Sequence, residues 1–182
     1  MKFFLVALFA LLAFVSATEE VVPEVPYAAG FTLPTKFGNF SVADLSTASS
    51  CGTVMGTYKS INAYSNGQYQ GTGNSCGGWG NTGLLYQCVE YTQRYFNTKF
   101  GTTPVWPVDY AKQMCSNYPK GVKKVSTPAP GNAVVFGWGT YGHTAIVTGV
   151  HDGLIDVIEQ NASPSGWNTY SQKDASCFLA NA

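Results

Sequence analysis

The fold is decided by residues 132–161, which read NAVVFGWGTYGHTAIVTGVHDGLIDVIEQN. Segments rich in Val, Ile and Thr lie at 132–138, 143–150 and 154–161, and they predict three strands. The connections between these segments are short and rich in glycine, so neighbouring strands should run antiparallel. This stretch therefore predicts an antiparallel sheet in the second half of the chain.

The first half of the chain has a different period. From Gln87 onwards an apolar stripe recurs at spacings of three and four residues, which predicts a helix: Val89, Thr92, Tyr95 and Phe96. Gly101 is expected to follow the end of this helix, and a second, short helix is expected between Pro107 and Pro119. Asn66-Gly67 predicts a tight hairpin turn. Helices followed by strands favour an α+β domain.

The N-terminus has the features of a secretory signal peptide. Lys2 precedes an apolar run that ends near Val15, and the small residues that follow suit cleavage after Ala17. The run is shorter than the roughly 20 apolar residues of a membrane-spanning helix. We therefore expect a signal peptide at 1–17, a loose leader at 18–50 and one folded domain at 51–182.

Charge and cysteine content indicate an extracellular protein. The formal net charge is 0, which gives no electrostatic attraction to nucleic acid. Four of the five cysteines could pair in an oxidising compartment, and of the three possible connectivities we expect Cys51–Cys76 and Cys115–Cys177. Cys88 would remain as a bridge to another chain, an inert thiol or a nucleophile. With only two histidines, we expect no metal and no cofactor.

Four residues could together carry nucleophilic catalysis. Cys88 is expected at the start of the first helix, whose positive end stabilises a thiolate and whose unpaired N–H groups can receive an oxyanion. His143 opens a strand, and Glu159 and Asn161, two residues apart, should point to one face of the next strand. Each residue alone also has an ordinary structural interpretation. Together they form a nucleophile, a base and its orienting partners.

Four local sequences resemble the CHAP family of cysteine, histidine-dependent amidohydrolases and peptidases, and they occur in the family's order: YQCVEY at 86–91, PGNAVVF at 130–136, GHTAIV at 142–147 and IEQN at 158–161. The resemblance implies a papain-like α+β fold. It implies Cys88 as nucleophile, His143 as base, Glu159 as third member and Asn161 as a further orienting residue. It also implies cleavage of amide bonds in bacterial peptidoglycan.

We therefore expect a secreted, monomeric cysteine amidohydrolase or endopeptidase, extracellular or delivered to a digestive vacuole, that acts through a thioester. The alternatives are an inactive binding protein of the same fold and a general papain-like protease.

The Gln87 side chain could assist the backbone in holding the oxyanion. Three aromatic residues could line a groove, although packing is favoured for each: Trp79, Tyr86 and Trp138. Of two glycosylation sequons, Asn39 is the expected glycan carrier, because a sugar on Asn161 would block the site.

The turn between the second and third predicted strands decides whether the site can form. A two-residue Asp152-Gly153 turn gives a register that puts Glu159 on the face opposite His143, because a slip of one residue moves every side chain across the sheet. A three-residue loop at 151–153 pairs Val150 with Leu154 and brings Glu159 diagonally beside His143. We therefore predict the three-residue loop, with positive φ at Gly153.

Overall fold

A computed structural model describes residues 50–67 and 76–182. The expected signal peptide, nearly all of the leader and Asn39 lie outside the described residues. The elements in chain order are β1 (Val54–Tyr58), β2 (Ile61–Tyr64), β3 (Trp79–Gly80), β4 (Gly83–Leu84), α1 (Cys88–Phe100), a 3₁₀ helix (Ala111–Cys115), β5 (Val122–Val125), β6 (Ala133–Phe136), β7 (His143–His151), β8 (Leu154–Ile158), β9 (Trp167–Ser171), a second 3₁₀ helix (Gln172–Asp174) and β10 (Ala175–Asn181).

The main sheet has six strands in the order β5-β10-β6-β7-β8-β9, and all neighbours are antiparallel. The α+β class and the antiparallel sheet are thus confirmed, as is the helix that begins beside Gln87. The second expected helix is instead a single 3₁₀ segment of five residues. It buries Ala111 and Met114, which are three residues apart and therefore lie on one side of a 3₁₀ helix.

Strand β7 separates two buried clusters. Ile146 belongs to the cluster beneath α1, and the buried hydroxyls of Thr92 in α1 and Thr144 in β7 lie 3.2 Å apart. Ala145 belongs to a second cluster on the opposite face, which also includes Phe136 and Tyr170. Because side chains alternate along a strand, His143 shares the face of Ala145. The first residue of β7 is therefore held over an aromatic part of the core.

The turn between β7 and β8 differs from the expected one. Val150 pairs with Ile155 and His151 with Leu154, so the turn has two residues and the predicted three-residue loop is wrong. Asp152 has φ 47° and Gly153 has φ 75°. Two consecutive positive φ values are those of a type I′ turn, for which Asp-Gly is a preferred sequence. The positive φ predicted for Gly153 is confirmed.

A β-bulge restores the register that the site requires. The pairing shifts by one residue between Val147 and Gly149, so that Val147 pairs with Val157 and Ile146 with Ile158. Thr148 is the extra residue. These two pairs match the predicted register, and Glu159 consequently lies on the same face as His143. Without the bulge, a two-residue turn would put His143 and Glu159 on opposite faces of the sheet. The bulge therefore allows the two-residue turn and the site to occur together.

The N-terminal hairpin turns at Lys59-Ser60, between β1 and β2. The residues that would follow the predicted turn at Asn66-Gly67 lie outside the described residues. Both residues of the Lys59-Ser60 turn have positive φ, 47° and 66°, although neither is Gly, Asn or Asp. The local sequence therefore gave no turn signal there. Asn66 lies just after β2, where its side chain is buried.

Both expected disulfides are confirmed. Cys51 and Cys76 are bridged with their Cα atoms 5.5 Å apart, and Cys115 and Cys177 with theirs 5.9 Å apart. The second bridge ties the first 3₁₀ helix to β10. Cys88 is the free cysteine of the described residues.

Candidate active site

The free thiol lies at the first residue of α1. Cys88 is partly buried, and the preceding Gln87 has extended backbone angles, φ −83° and ψ 162°. The N–H groups of the first helical turn have no carbonyl partner within the helix. Cys88 therefore lies beside backbone donors and at the positive end of the helix dipole, which favours a thiolate and a developing oxyanion.

His143 lies between the side chains of Cys88 and Glu159. Its Nε2 is 2.8 Å from Oε2 of Glu159, and only 7% of His143 and 0% of Glu159 are exposed. The Cys88 side chain lies close enough to be one of the causes that raise the pKa of His143. Because Nε2 faces Glu159, Nδ1 is the ring nitrogen left for the sulfur. The structure thus brings together three of the four expected residues, namely Cys88, His143 and Glu159.

Burial alone would lower the pKa of His143, but hydrogen bonds and charge interactions with Cys88 and Glu159 outweigh it and raise the pKa from 6.5 to about 10. His143 is therefore an imidazolium near neutral pH, and it lies beside the side chains of Cys88 and Glu159. Since the folded-state pKa lies above the ordinary value, this arrangement stabilises the fold fully below about pH 6.5. The stabilisation is lost as the pH rises through about 10.

Glu159 is held by two residues of β9 that the sequence did not single out. The Tyr170 hydroxyl lies 3.1 Å from each carboxylate oxygen, and Asn168 Nδ2 donates to Oε1 at 3.3 Å. Burial, followed by the charge of Glu159, raises the pKa of Tyr170. Tyr170 therefore stays protonated and donates to Glu159, which leaves Oε2 directed at His143.

Replacing Tyr170 by phenylalanine is expected to destabilise the protein by about 1–3 kcal/mol, because a buried carboxylate loses a donor. The matched control is Tyr95→Phe, because the buried Tyr95 hydroxyl has no hydrogen-bond partner among the described residues. Its loss should be close to neutral. Denaturant unfolding of both variants checks the difference, and equal stabilities would contradict the role given to Tyr170.

An aromatic stack fixes the plane of the His143 ring. The Trp138 ring is nearly parallel to it, at 6.1 Å and 4°, and Phe136 lies at 6.1 Å and 13°. Phe136 and Trp138 stack on each other at 4.1 Å. Trp138 thus packs beside His143, and Tyr86 packs on Tyr64 with ring centroids 4.9 Å apart. Trp79 is different, because 74% of it is exposed.

Asn161 contacts the residue that precedes Cys88. Strand β8 ends at Ile158 and Asn161 has φ 60°, so the expected strand geometry does not extend to it. Its Nδ2 donates to Gln87 Oε1 at 2.5 Å, and its Oδ1 accepts from Asn66 Nδ2 at 2.6 Å. The structure therefore places the Asn161 amide next to Gln87, and its role toward His143 stays a prediction.

Both ends of the Asn161 amide are engaged by neighbouring side chains, which leaves little room beside Nδ2 for a glycan. We expect Asn161 to be unmodified in the folded protein. Intact-glycopeptide mass spectrometry of the peptide that contains 161–163 checks this. Full occupancy at Asn161 would remove it from the site.

Gln160 joins this strand end to the helix and was not predicted as a site residue. Its Nε2 donates to the Gln87 carbonyl at 3.1 Å and to Glu90 Oε2 at 2.9 Å. Glu90 also forms an ion pair with Arg94 at 2.6 Å. Glu159 and Asn161 flank Gln160 in the chain. This buried network therefore fixes the position of both residues relative to the start of α1.

Among the described residues, no three His, Cys, Asp or Glu side chains are grouped closely enough to hold a metal ion. Within the same part of the chain, no helix has the length and apolar character needed to cross a membrane.

Residues 78–161 match the family model of the CHAP domain, which confirms the resemblance seen in the local sequences. Two solved structures are similar: the crystal structure of Ly7917 with the hydrolyzing product of MDP, 21% identical with a TM-score of 0.43, and the crystal structure of Ly7917, 20% identical with a TM-score of 0.43. Each comparison covers 52% of this chain and 53% of the other, so this chain spans about half the length of those proteins. No curated protein is significantly similar to it.

Proposed function

We propose that this chain, which carries a CHAP domain at residues 78–161, is a secreted cysteine hydrolase that cleaves an amide bond of bacterial peptidoglycan. The observation that carries the proposal is the position of His143, buried between the free thiol of Cys88 and the carboxylate of Glu159. A thiolate with an adjacent proton donor is suited to acyl transfer from an amine.

In the first step, the Cys88 thiolate attacks the amide carbonyl carbon and forms a C–S bond. The carbonyl electron pair moves to oxygen, and this oxyanion is stabilised by N–H groups at the start of α1. The C–N bond then breaks, and His143 gives its Nδ1 proton to the departing nitrogen. The products are a thioester on Cys88, a free amine and a neutral imidazole.

In the second step, neutral His143 removes a proton from water, and the resulting hydroxide attacks the thioester carbonyl. The tetrahedral intermediate collapses with cleavage of the C–S bond. A carboxylic acid leaves, and Cys88 returns as the thiolate beside protonated His143. Glu159 acts through His143 in both steps, because its carboxylate favours the imidazolium and fixes which nitrogen faces the sulfur.

Secretion is part of the proposal. The disulfides Cys51–Cys76 and Cys115–Cys177 suit an oxidising compartment, in which peptidoglycan of foreign bacteria would be met. A free Cys88 in such a compartment fits a functional thiol.

The test is a turbidity assay on purified bacterial cell walls, with mass spectrometry of the released fragments. Loss of turbidity together with new amine and carboxyl ends is the expected result, and the fragment masses identify the bond. Casein serves as the control substrate. Cleavage of casein with intact walls would indicate a general protease, and no cleavage of either would indicate a binding protein of the same fold.

A further inference from the structure

The side-chain amide of Asn66 is buried near Cys88, although Asn66 lies outside the matched domain. Asn66 follows β2, precedes residue 78 and is 0% exposed. Its segment is fixed by two hydrogen bonds, Gly52 N to the Ser65 carbonyl at 2.9 Å and Ser65 N to the Thr53 carbonyl at 2.8 Å. The Cys51–Cys76 disulfide brackets the same segment. Asn66 is therefore held rigidly by its own hairpin.

Three side-chain amides are linked in series. Asn66 Nδ2 donates to Asn161 Oδ1 at 2.6 Å, and Asn161 Nδ2 donates to Gln87 Oε1 at 2.5 Å. Each amide has one accepting and one donating end, so the first bond sets the orientation of the next. Hydrogen bonds in such a chain also polarise one another. With Oε1 directed at Asn161, the Nε2 end of Gln87 is directed away from it.

We propose that Asn66 is a positioning residue that, through Asn161, orients the Gln87 amide so that Nε2 donates to the oxyanion formed at Cys88. The proposal rests on Cys88 being the nucleophile of the proposed function. Gln87 immediately precedes Cys88 and the N–H groups that receive the oxyanion. A side-chain amide at this place adds a fixed donor to those backbone groups.

This amide series is separate from the series Cys88–His143–Glu159. The first acts on charge that develops on the substrate oxygen, whereas the second maintains the thiolate. Loss of Asn66 should therefore slow reactions that pass through a tetrahedral oxyanion and spare reactions of the thiolate that do not. A merely structural role would affect both kinds of reaction together.

Two small probes separate these effects. In acylation by p-nitrophenyl acetate, the thiolate attacks the ester carbonyl, an oxyanion forms, and its collapse expels p-nitrophenolate. In alkylation by iodoacetamide, sulfur displaces iodide in one step without an oxyanion. The variant is Asn66→Asp, which keeps the size of Asn66 but cannot donate to Asn161. The matched control is Asn62→Asp in β2 of the same hairpin, whose side chain bonds to Thr57 and Tyr64.

We expect Asn66→Asp to be acylated about tenfold more slowly or worse, since oxyanion donors contribute factors of about 10²–10³ in rate. Its alkylation rate should stay within about twofold of wild type, and Asn62→Asp should change neither rate. Asn66→Ala, which adds no charge, is the second variant and should behave like Asn66→Asp.

Unchanged acylation in the Asn66 variants would overturn the proposal. A parallel fall of the acylation and alkylation rates would also overturn it, and variants that fail to fold would give this result too. Wild-type acylation that is no faster than acylation of Cys88→Ala would overturn it as well. Because neither probe is a cell-wall component, failure to lyse walls would refute the proposed function and leave this comparison intact.

Discussion

Replacing Cys88 by alanine is expected to abolish wall hydrolysis, with a loss of several orders of magnitude in kcat. Without the sulfur no thioester can form. His143 then has no departing nitrogen to which it could give its proton. Alanine is the best helix former, so α1 should still begin at this position. The turbidity assay measures the loss, and full activity in the variant would refute the assignment of Cys88.

The fold of that variant is checked independently. Both disulfides remain, because neither involves Cys88. Mass spectrometry after iodoacetamide should show one alkylated cysteine within residues 50–182 of the wild type and none in the variant. An unfolding midpoint close to that of wild type would assign the loss of hydrolysis to chemistry.

Replacing Glu159 by glutamine should lower kcat by at least about a hundredfold, by analogy with the loss of the orienting carboxylate in catalytic triads. Glutamine nearly preserves the shape but removes the charge that favours the imidazolium. The pKa of His143, raised to about 10 in the wild type, should therefore fall. The alkaline limit of kcat/KM, where His143 loses its proton, should move to lower pH, and a pH–rate profile measures the shift.

Asp156→Asn is the matched control, because it removes a carboxylate from the same strand. Asp156 bonds to the exposed His151 at 3.2 Å and to Thr169 at 2.7 Å, away from Cys88 and Glu159. Its pH–rate profile should follow that of wild type. An unshifted alkaline limit in Glu159→Gln would show that this carboxylate does not set the protonation of His143.

The elements that local patterns specify could be predicted from the sequence. The period of α1 and the Val- and Ile-rich segments of β6, β7 and β8 are properties of consecutive residues. The pairing of Val147 with Val157 was predicted for a different reason, namely that His143 and Glu159 must share a face. The predicted turn is wrong because the strands do not keep one continuous register. Threonine suits a regular strand as well as a bulge, so nothing local marks Thr148.

Contacts distant in sequence could not be predicted. Tyr170 supports Glu159 from β9, a strand that the sequence analysis did not identify, although Asn168 and Tyr170 alternate correctly for one face. Glu90 and Arg94 have the spacing of an ordinary surface ion pair on a helix. Glu90 is nevertheless buried, and Gln160, far along the chain, donates to it. Periodicity alone does not report such a partner.

The bulge at Thr148 also determines which insertions and deletions the β7–β8 hairpin can accept. Because Thr148 is the surplus residue, its deletion would join Val147↔Val157 directly to Gly149↔Asp156 in one continuous ladder. His143 and Glu159 would still lie on the same face of the sheet. With the bulge retained, deletion of a paired residue such as Val157 would instead carry Glu159 to the opposite face of the sheet. Within this hairpin, length can therefore vary at 148 while the geometry of the site is retained.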